Sequence, residues 1–259
     1  MLSLDISELQ HWLAALFWPF TRIGACLMVA PVFGASYVPR RFRVVLAGAL
    51  TLPVAPLLPA APDVPLLSIA GAMITVQQLV IGVALGFVLQ LVFDALALGG
   101  QLLANGMGLG FAFNLDPLRG VSTPALGQLY TVLGTLVFLA LDGHLALLGT
   151  LVDSFHGLPV GRGGLDPTRL AAVADWGAVL FAGALRVALP GVTALLVINL
   201  AFGVMSRAAP SLNLFAVGLP VTLIFGLTIV TLGLPTIGAA CTALLADGFA
   251  FMRALTAVP

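Results

Sequence analysis

Of the 259 residues, 61% are hydrophobic and 8% charged, the formal net charge is zero, and the mean hydropathy is +1.16. Soluble domains carry roughly 25% charged residues, so this is the composition of an integral membrane protein. It excludes a basic nucleic-acid footprint, and since all ten basic residues are arginine there is no lysine for a phosphate-binding loop or a Schiff base. Cys26 and Cys241 lie in apolar runs without a pairing or metal-ligand spacing and read as small buried hydrophobes. Asp5 and Glu8 stand where a signal peptide would carry basic charge, so no cleaved leader is expected.

Taken in order, Asp5 or Ser7 caps a first predicted helix. Its apolar run extends from Trp12 past Ala30, is interrupted by Pro19 and Arg22, and is ended by Pro31, Gly34 and Pro39. The cluster Arg40, Arg41 and Arg43 opens a second apolar segment reaching about Leu58, made irregular by Pro53, Pro56 and Pro59. Asp63 and Pro65 form a short loop. The uncharged run from Leu66 to Phe93 exceeds the roughly 20 residues that a bilayer-spanning helix needs. Asp94 interrupts it, and the apolar sequence resumes as far as Gly106.

At Gly106 the pattern changes. Gly106, Gly108 and Gly110 each weaken a helix by about 1 kcal/mol relative to alanine, and Pro117 and Pro124 disfavour helical geometry in the residues before them. The stretch 106–124 therefore predicts a loop, apolar through Met107, Phe111 and Phe113, inside a membrane protein. In lipid its backbone would be unsatisfied, so it fits the lining or blocking of a cavity.

After Pro124, a helix over Ala125–Leu141 is broken at Asp142-Gly143-His144 and resumes to Val152. Residues 153–169 read as the main polar loop, with Gly161, Gly163, Gly164 and the Asp166-Pro167 turn. A further segment runs from Trp176 to Met205, bent at Pro190-Gly191. The uncharged stretch 211–246 is divided by Gly218-Leu-Pro220 and Gly233-Leu-Pro235, and Phe249–Pro259 closes the chain. The whole predicts an all-α polytopic membrane protein: a single domain over 1–259, built of five or six bent or broken hydrophobic hairpin arms, without internal repeats. Helices so interrupted need neighbours to satisfy the freed backbone groups, so the chain is expected in an assembly. Counted from an outside N-terminus, the turns holding Arg40, Arg41 and Arg43, then Arg119, then Arg207, share one side. The positive-inside rule makes that side cytoplasmic, with Arg162 and Arg169 opposing it.

Arg22, Asp94, Asp142 and Arg186 lie within or at the edges of apolar segments. Such charges face a bundle interior, a cavity or a partner, and pairing that fixes packing explains them more simply than a proton relay. Asp142 and His144 are two apart, on different faces of a helix, and read as a helix break. His11 and His156 sit near segment ends, as interfacial rings do. No HExxH, CxxC or GxSxG occurs, and Gly106-x-Gly108-x-Gly110 has the wrong spacing for a dinucleotide fingerprint. No enzyme activity, metal or cofactor is expected. Gly82-x-x-x-Gly86 fits the small-xxx-small pattern for close helix packing, a weak match in a glycine-rich chain. A small-molecule transporter or channel with Asp94 and Arg186 as a midplane site is the rival class, though neither inverted repeats nor a coherent polar pathway supports it.

Specific strings carry more than this chemistry. Ala30-Pro31-Val-Phe-Gly34 with Val38-Pro39-Arg40 resembles the first hairpin of the FliR family of flagellar biosynthetic proteins, subunits of the type III secretion export gate. Gly106-Met-Gly-Leu-Gly-Phe-Ala112 with Asp116-Pro117 resembles that family's central motif, as do Phe138-Leu-Ala-Leu-Asp142-Gly143-His144 and Asp153-Ser-Phe-His156. Arg207, Pro210, Asn213, Phe215, Gly218 and Pro220 belong to the string Ser206–Pro220, the strongest single match. The strings cover nearly the whole chain in order.

The resemblance implies an export-gate architecture of bent helical hairpins. Residues from 1 to about 165 would be P-subunit-like and those from about 166 to 259 Q-subunit-like. It implies a non-enzymatic structural subunit in the bacterial inner membrane, at the flagellar basal body. Its partners would be P-type and Q-type gate subunits, the B-type switch subunit, membrane lipid and transient unfolded export substrates, with no nucleic acid. It further implies that 106–122 is a plug in the closed pore, with Gly106, Met107, Gly108, Gly110, Phe111, Phe113, Asp116 and Pro117 as gating residues. Pro31, Gly34, Pro39, Arg40, Asp142, Gly143, His144, Arg207, Pro210, Asn213, Phe215, Gly218 and Pro220 would serve subunit packing. The injectisome paralogue shares this fold and job, and is the alternative within the class.

Overall fold

A computed structural model describes residues 6–35, 37–109, 125–208 and 214–257. Helices dominate and no strand occurs among these residues. The α-helices are α1 (Ile6–Val29), α2 (Arg40–Val54), α3 (Ile69–Gly106), α4 (Ala125–Ala140), α5 (Gly143–Gly157), α6 (Pro167–Asp175), α7 (Ala178–Ala208) and α8 (Leu214–Thr256), with a 3-10 turn at Ala55–Leu57.

The expected interruptions by proline and charge do not divide the long helices. Pro19 lies inside α1, Pro190 inside α7, and Pro220 and Pro235 inside a 43-residue α8. Asp94 likewise lies within the 38-residue α3. A proline removes one donor and crowds the carbonyl four residues before it. In apolar surroundings leaving the helix would cost many more backbone hydrogen bonds, so the helix continues. The expected five or six arms accordingly become four helical stretches apolar and long enough to cross a membrane. These are Trp12–Val29, Ile69–Gly106, Pro167–Ala208 and Gly218–Thr256 among the described residues. The α4–α5 pair supplies a fifth candidate, bent by 69°.

That bend falls at Asp142, whose φ of 54° and ψ of 28° put it in the left-handed region. Aspartate is among the few side chains that visit this region at modest cost. Asp142 is therefore a hinge between helices and lies at the helix break read from the sequence. The first turn is built differently. Gly34 N–H donates to Ala30 O at 2.7 Å, Val32 has a φ of 69°, and Pro39 occupies the N-cap position of α2. Arg43 Nη2 donates to Ala35 O at 2.5 Å and Val38 O at 3.0 Å, closing the turn with one side chain.

The polar loop narrows to 158–166, because the residues to Gly157 extend α5 and Pro167 starts α6. Asp166 caps α6: its Oδ1 accepts from Thr168 Oγ1 at 2.6 Å and from Arg169 N–H at 2.7 Å. The Thr168 hydroxyl, then the Arg169 amide, hold the Asp166 carboxyl below its ordinary value near 3.8. A depressed carboxyl contributes stability above its unfolded value and loses it as pH falls through the folded one. The α6 cap is therefore expected to persist through the ordinary carboxylate range and to open only at more acid pH, read as faster hydrogen exchange at the Arg169 amide relative to its intrinsic rate. Asp166→Asn should keep the cap and remove that pH dependence.

The chain divides into two compact units. The first comprises Met1–Leu91, Asp142–Gly177 and Ala246–Pro259. Within it, Trp18 packs with Ala14 and Ile74 and donates from Nε1 to Thr75 Oγ1 at 3.3 Å. Trp176 stacks on Phe251 with centroids 4.4 Å apart, and its Nε1 donates to Val88 O at 3.3 Å. Arg169 donates to Leu255 O at 3.1 Å and Ala257 O at 2.9 Å, satisfying carbonyls that the end of α8 leaves open. Gly82 and Gly86 of α3 abut the backbone of α1. A Cβ at Gly86 would lie 2.7 Å from Cys26 O and 3.0 Å from Ala30 N. The weak small-xxx-small match is thus a real close crossing.

The second unit comprises Val92–Leu141 and Ala178–Leu245. Phe93 meets Phe138 edge to face at 5.8 Å, and Gly100 lies against the backbone of Leu126 and Gly127. Cys26 in the first unit and Cys241 in the second are buried free thiols, as their apolar surroundings suggested.

Candidate functional site

The C-terminal end of α3 is where the predicted plug begins, and its first residues are described. Asn199 Nδ2, on α7, donates to Gly106 O at 3.1 Å. Thr222 Oγ1, on α8, lies 3.5 Å from Met107 O, a long contact, and also donates to Leu219 O at 3.0 Å. Both carbonyls belong to the terminal turn, where an α-helix has no internal donors left. Asn199 is the stronger clasp by geometry.

Met107 is 1% exposed. Its side chain fills a notch beside Gly226 of α8, where a Cβ would lie 2.7 Å from Met107 Sδ. Methionine suits such a gap because its unbranched chain adapts to irregular walls. Gly108 follows with a φ of 79°, the left-handed conformation that glycine adopts without a Cβ penalty. A side chain there would also meet Leu219 Cδ2 at 2.7 Å. Gly108 N–H donates to Asn105 O at 3.0 Å and Leu109 N–H to Ala104 O at 3.1 Å, so the helix closes in a tight turn. Gly110, Phe111, Phe113, Asp116 and Pro117 lie outside the described residues.

The expected packing residues fall on three separate stretches of the chain. Pro31, Gly34, Pro39 and Arg40 form the α1–α2 turn, and Asp142, Gly143 and His144 form the α4–α5 hinge. Arg207 is exposed in the last turn of α7. Gly218 is buried and Pro220 exposed in the first turns of α8, where Phe215 lies on the helix. Pro210 and Asn213 lie outside the described residues.

A polar cluster in the first unit had only one member legible in sequence. Arg22 is 0% exposed. Its Nε donates to Gln78 Oε1 at 2.8 Å, its Nη1 to Ser154 O at 2.9 Å and Ser154 Oγ at 3.1 Å, and its Nη2 to Leu158 O at 2.7 Å. The guanidinium carbon sits 4.0 Å from the centroid of the Phe155 ring. The charge is thus held by neutral acceptors and a π face, which tie α1, α3 and the end of α5 together. Gln78 was the signal available: an amide inside an otherwise apolar run, needing a polar partner. Leu158 gave none, because its carbonyl is a feature of a helix end rather than of a residue type.

Long apolar helices, polar side chains spent on clasping helix ends, and a buried arginine among carbonyls define a polytopic, all-helical membrane protein. The model of the family described as bacterial export proteins, family 1, matches residues 13–248. The chain is 38% identical over 249 residues to flagellar biosynthetic protein FliR of Escherichia coli (strain K12), covering 96% of this chain and 95% of that one. It is 40% identical over 234 residues to the FliR of Pectobacterium carotovorum subsp. carotovorum, covering 90% and 88%. To the FliR of Aquifex aeolicus (strain VF5) it is 31% identical over 229 residues, 88% of each chain. The chain belongs to the FliR family of bacterial export proteins.

Proposed function

We propose that this chain is a non-enzymatic subunit of the flagellar protein export apparatus, acting as the R-type component of its export gate. The observation that carries the reading is similarity along nearly the full length to proteins named as flagellar biosynthetic FliR. In this reading it assembles in the bacterial inner membrane with P-type and Q-type gate subunits and contacts the B-type switch subunit. Residues 1–165 are its P-like part and 166–259 its Q-like part. Unfolded flagellar substrates cross through the pore it helps to close.

Residues 106–122 serve as the plug of that pore, with Phe111 and Phe113 as soft apolar seals and glycines that let the segment yield. Deleting 108–116 in cells that express the whole gate is expected to make the resting membrane leak ions and small solutes, read with a membrane-potential dye. Unchanged tightness, at a normal amount of assembled gate, would sink the plug reading. A transporter reading would instead employ Asp94 and Arg186, but each is engaged in an interaction within the chain. Co-purification separates the two classes: a gate subunit comes out of the membrane with its P-type partner, and a transporter comes out alone and binds a solute.

A further inference from the structure

We propose that Gly106 and Met107 are a fixed anchor, which stays seated between α7 and α8 while the gate opens and closes. Asn199, Thr222 and Gly226 are the positioning residues that hold it. The inference rests on the reading of 106–122 as a plug and adds where that plug is fastened.

Several independent features converge on two residues. The Gly106 carbonyl takes a side-chain donor from α7, and the Met107 carbonyl faces one from α8. Met107 is buried although it begins the segment that sequence reads as a loop. Its side chain occupies a space that exists because position 226 is glycine. Unseating it would expose an apolar side chain, empty the notch and strip the Gly106 carbonyl of its donor, and these costs fall together. Immediately beyond, the backbone turns left-handed at Gly108. A segment that export must displace again and again is best held by a root that does not move. Side-chain clasps reach as far as residue 107, and the left-handed turn at Gly108 follows directly.

The test is the double variant Met107→Cys with Gly226→Cys, assembled in the complete gate. Met107 Cγ lies against the position a Cβ at 226 would occupy, so the two sulfurs fall within reach of a disulfide. Oxidation of resting membranes is expected to give an intrachain cross-link, seen as a migration shift absent from either single variant. Secretion of flagellar substrates by the cross-linked variant should equal that of the same double variant kept under reductant. Secretion that stops on oxidation and recovers with reductant would show that the root moves, and would overturn the proposal. Failure to cross-link in resting membranes would overturn the seating itself.

A second measurement addresses the positioning residues. Asn199→Leu combined with Thr222→Val should raise resting ion leak while the amount of assembled gate stays unchanged, which a merely structural role would not produce. A tight membrane would count against the proposal. The 108–116 deletion in the same cells separates the failures. If the deletion leaks and the cross-link blocks secretion, only the anchor is wrong. If the deletion stays tight, the plug reading fails first.

Discussion

Replacing Arg22 with methionine is expected to destabilise the chain by about 3 kcal/mol or more, despite removing a buried charge. The opposing effects are both large. Burying a guanidinium costs several kcal/mol in lost hydration, and methionine avoids that cost. Yet all three guanidinium nitrogens donate to Gln78, Ser154 and Leu158, and the Phe155 ring lies under the charge. In the variant the buried Gln78 Oε1 loses its donor, at about 1–3 kcal/mol for a buried acceptor left unmet, and the half-buried Leu158 O loses its own at less. The ring contact, worth about 2 kcal/mol when desolvated, is lost as well. Since the native site already offsets the desolvation with hydrogen bonds, the penalty from the abandoned acceptors wins. Arg22→Lys should rescue little, because one ammonium cannot reach groups that a planar fork serves in three directions. The measurement is thermal unfolding of the purified complex alongside chain abundance in membranes. A melting temperature equal to wild type in Arg22→Met would show that the cluster does not organise this unit.

Gly86→Leu should be comparably severe by a different route. Its Cβ alone would sit 2.7 Å from Cys26 O and 3.0 Å from Val29 Cβ, so α1 must shift away from α3 before the rest of a leucine is placed. Overpacking of this kind costs about 1–3 kcal/mol when side chains can give way, and here the obstacle includes backbone. The shift also draws Arg22 from Gln78, since Gly82, one turn earlier on α3, lies against the backbone of Arg22 itself. The two substitutions therefore damage the same arrangement. Combined in one chain they should destabilise it by clearly less than the sum of their separate effects, the mark of coupled sites. Additive losses in a double-variant cycle would show that the crossing and the cluster stand independently.

How much of this was legible beforehand differs from element to element. The break at Asp142-Gly143-His144 was, because aspartate next to glycine in an apolar run has a local cause. The end of α3 at Gly106 was legible for the same reason. The undivided α8 was not: Pro220 and Pro235 look like breakers to a rule calibrated in water, where a broken helix can hydrogen-bond to solvent. Met107 shows another limit. Its composition suited an apolar stopper, but its burial depends on Gly226, 119 positions away, and nothing near Met107 announces that notch. Arg22 could be recognised as needing a partner. Only the packing of α1 on α3 shows that its partners are an amide and helix-end carbonyls.

The partners of Arg22 also set a schedule for biogenesis. Gln78 follows it by 56 positions, Ser154 by 132 and Leu158 by 136. At a synthesis rate of roughly 5–20 residues per second, about 7–26 s pass between the making of Arg22 and the making of Ser154. During that interval α1 carries a cation that costs about 2.5–3.5 kcal/mol at the centre of an inserted helix and lacks most of the groups that will receive it. The first helix cannot reach its final setting on its own. The set of acceptors around its guanidinium is complete only once the fifth helix has been made. The Arg22 cluster is therefore closed late and by several helices together, rather than within one hairpin.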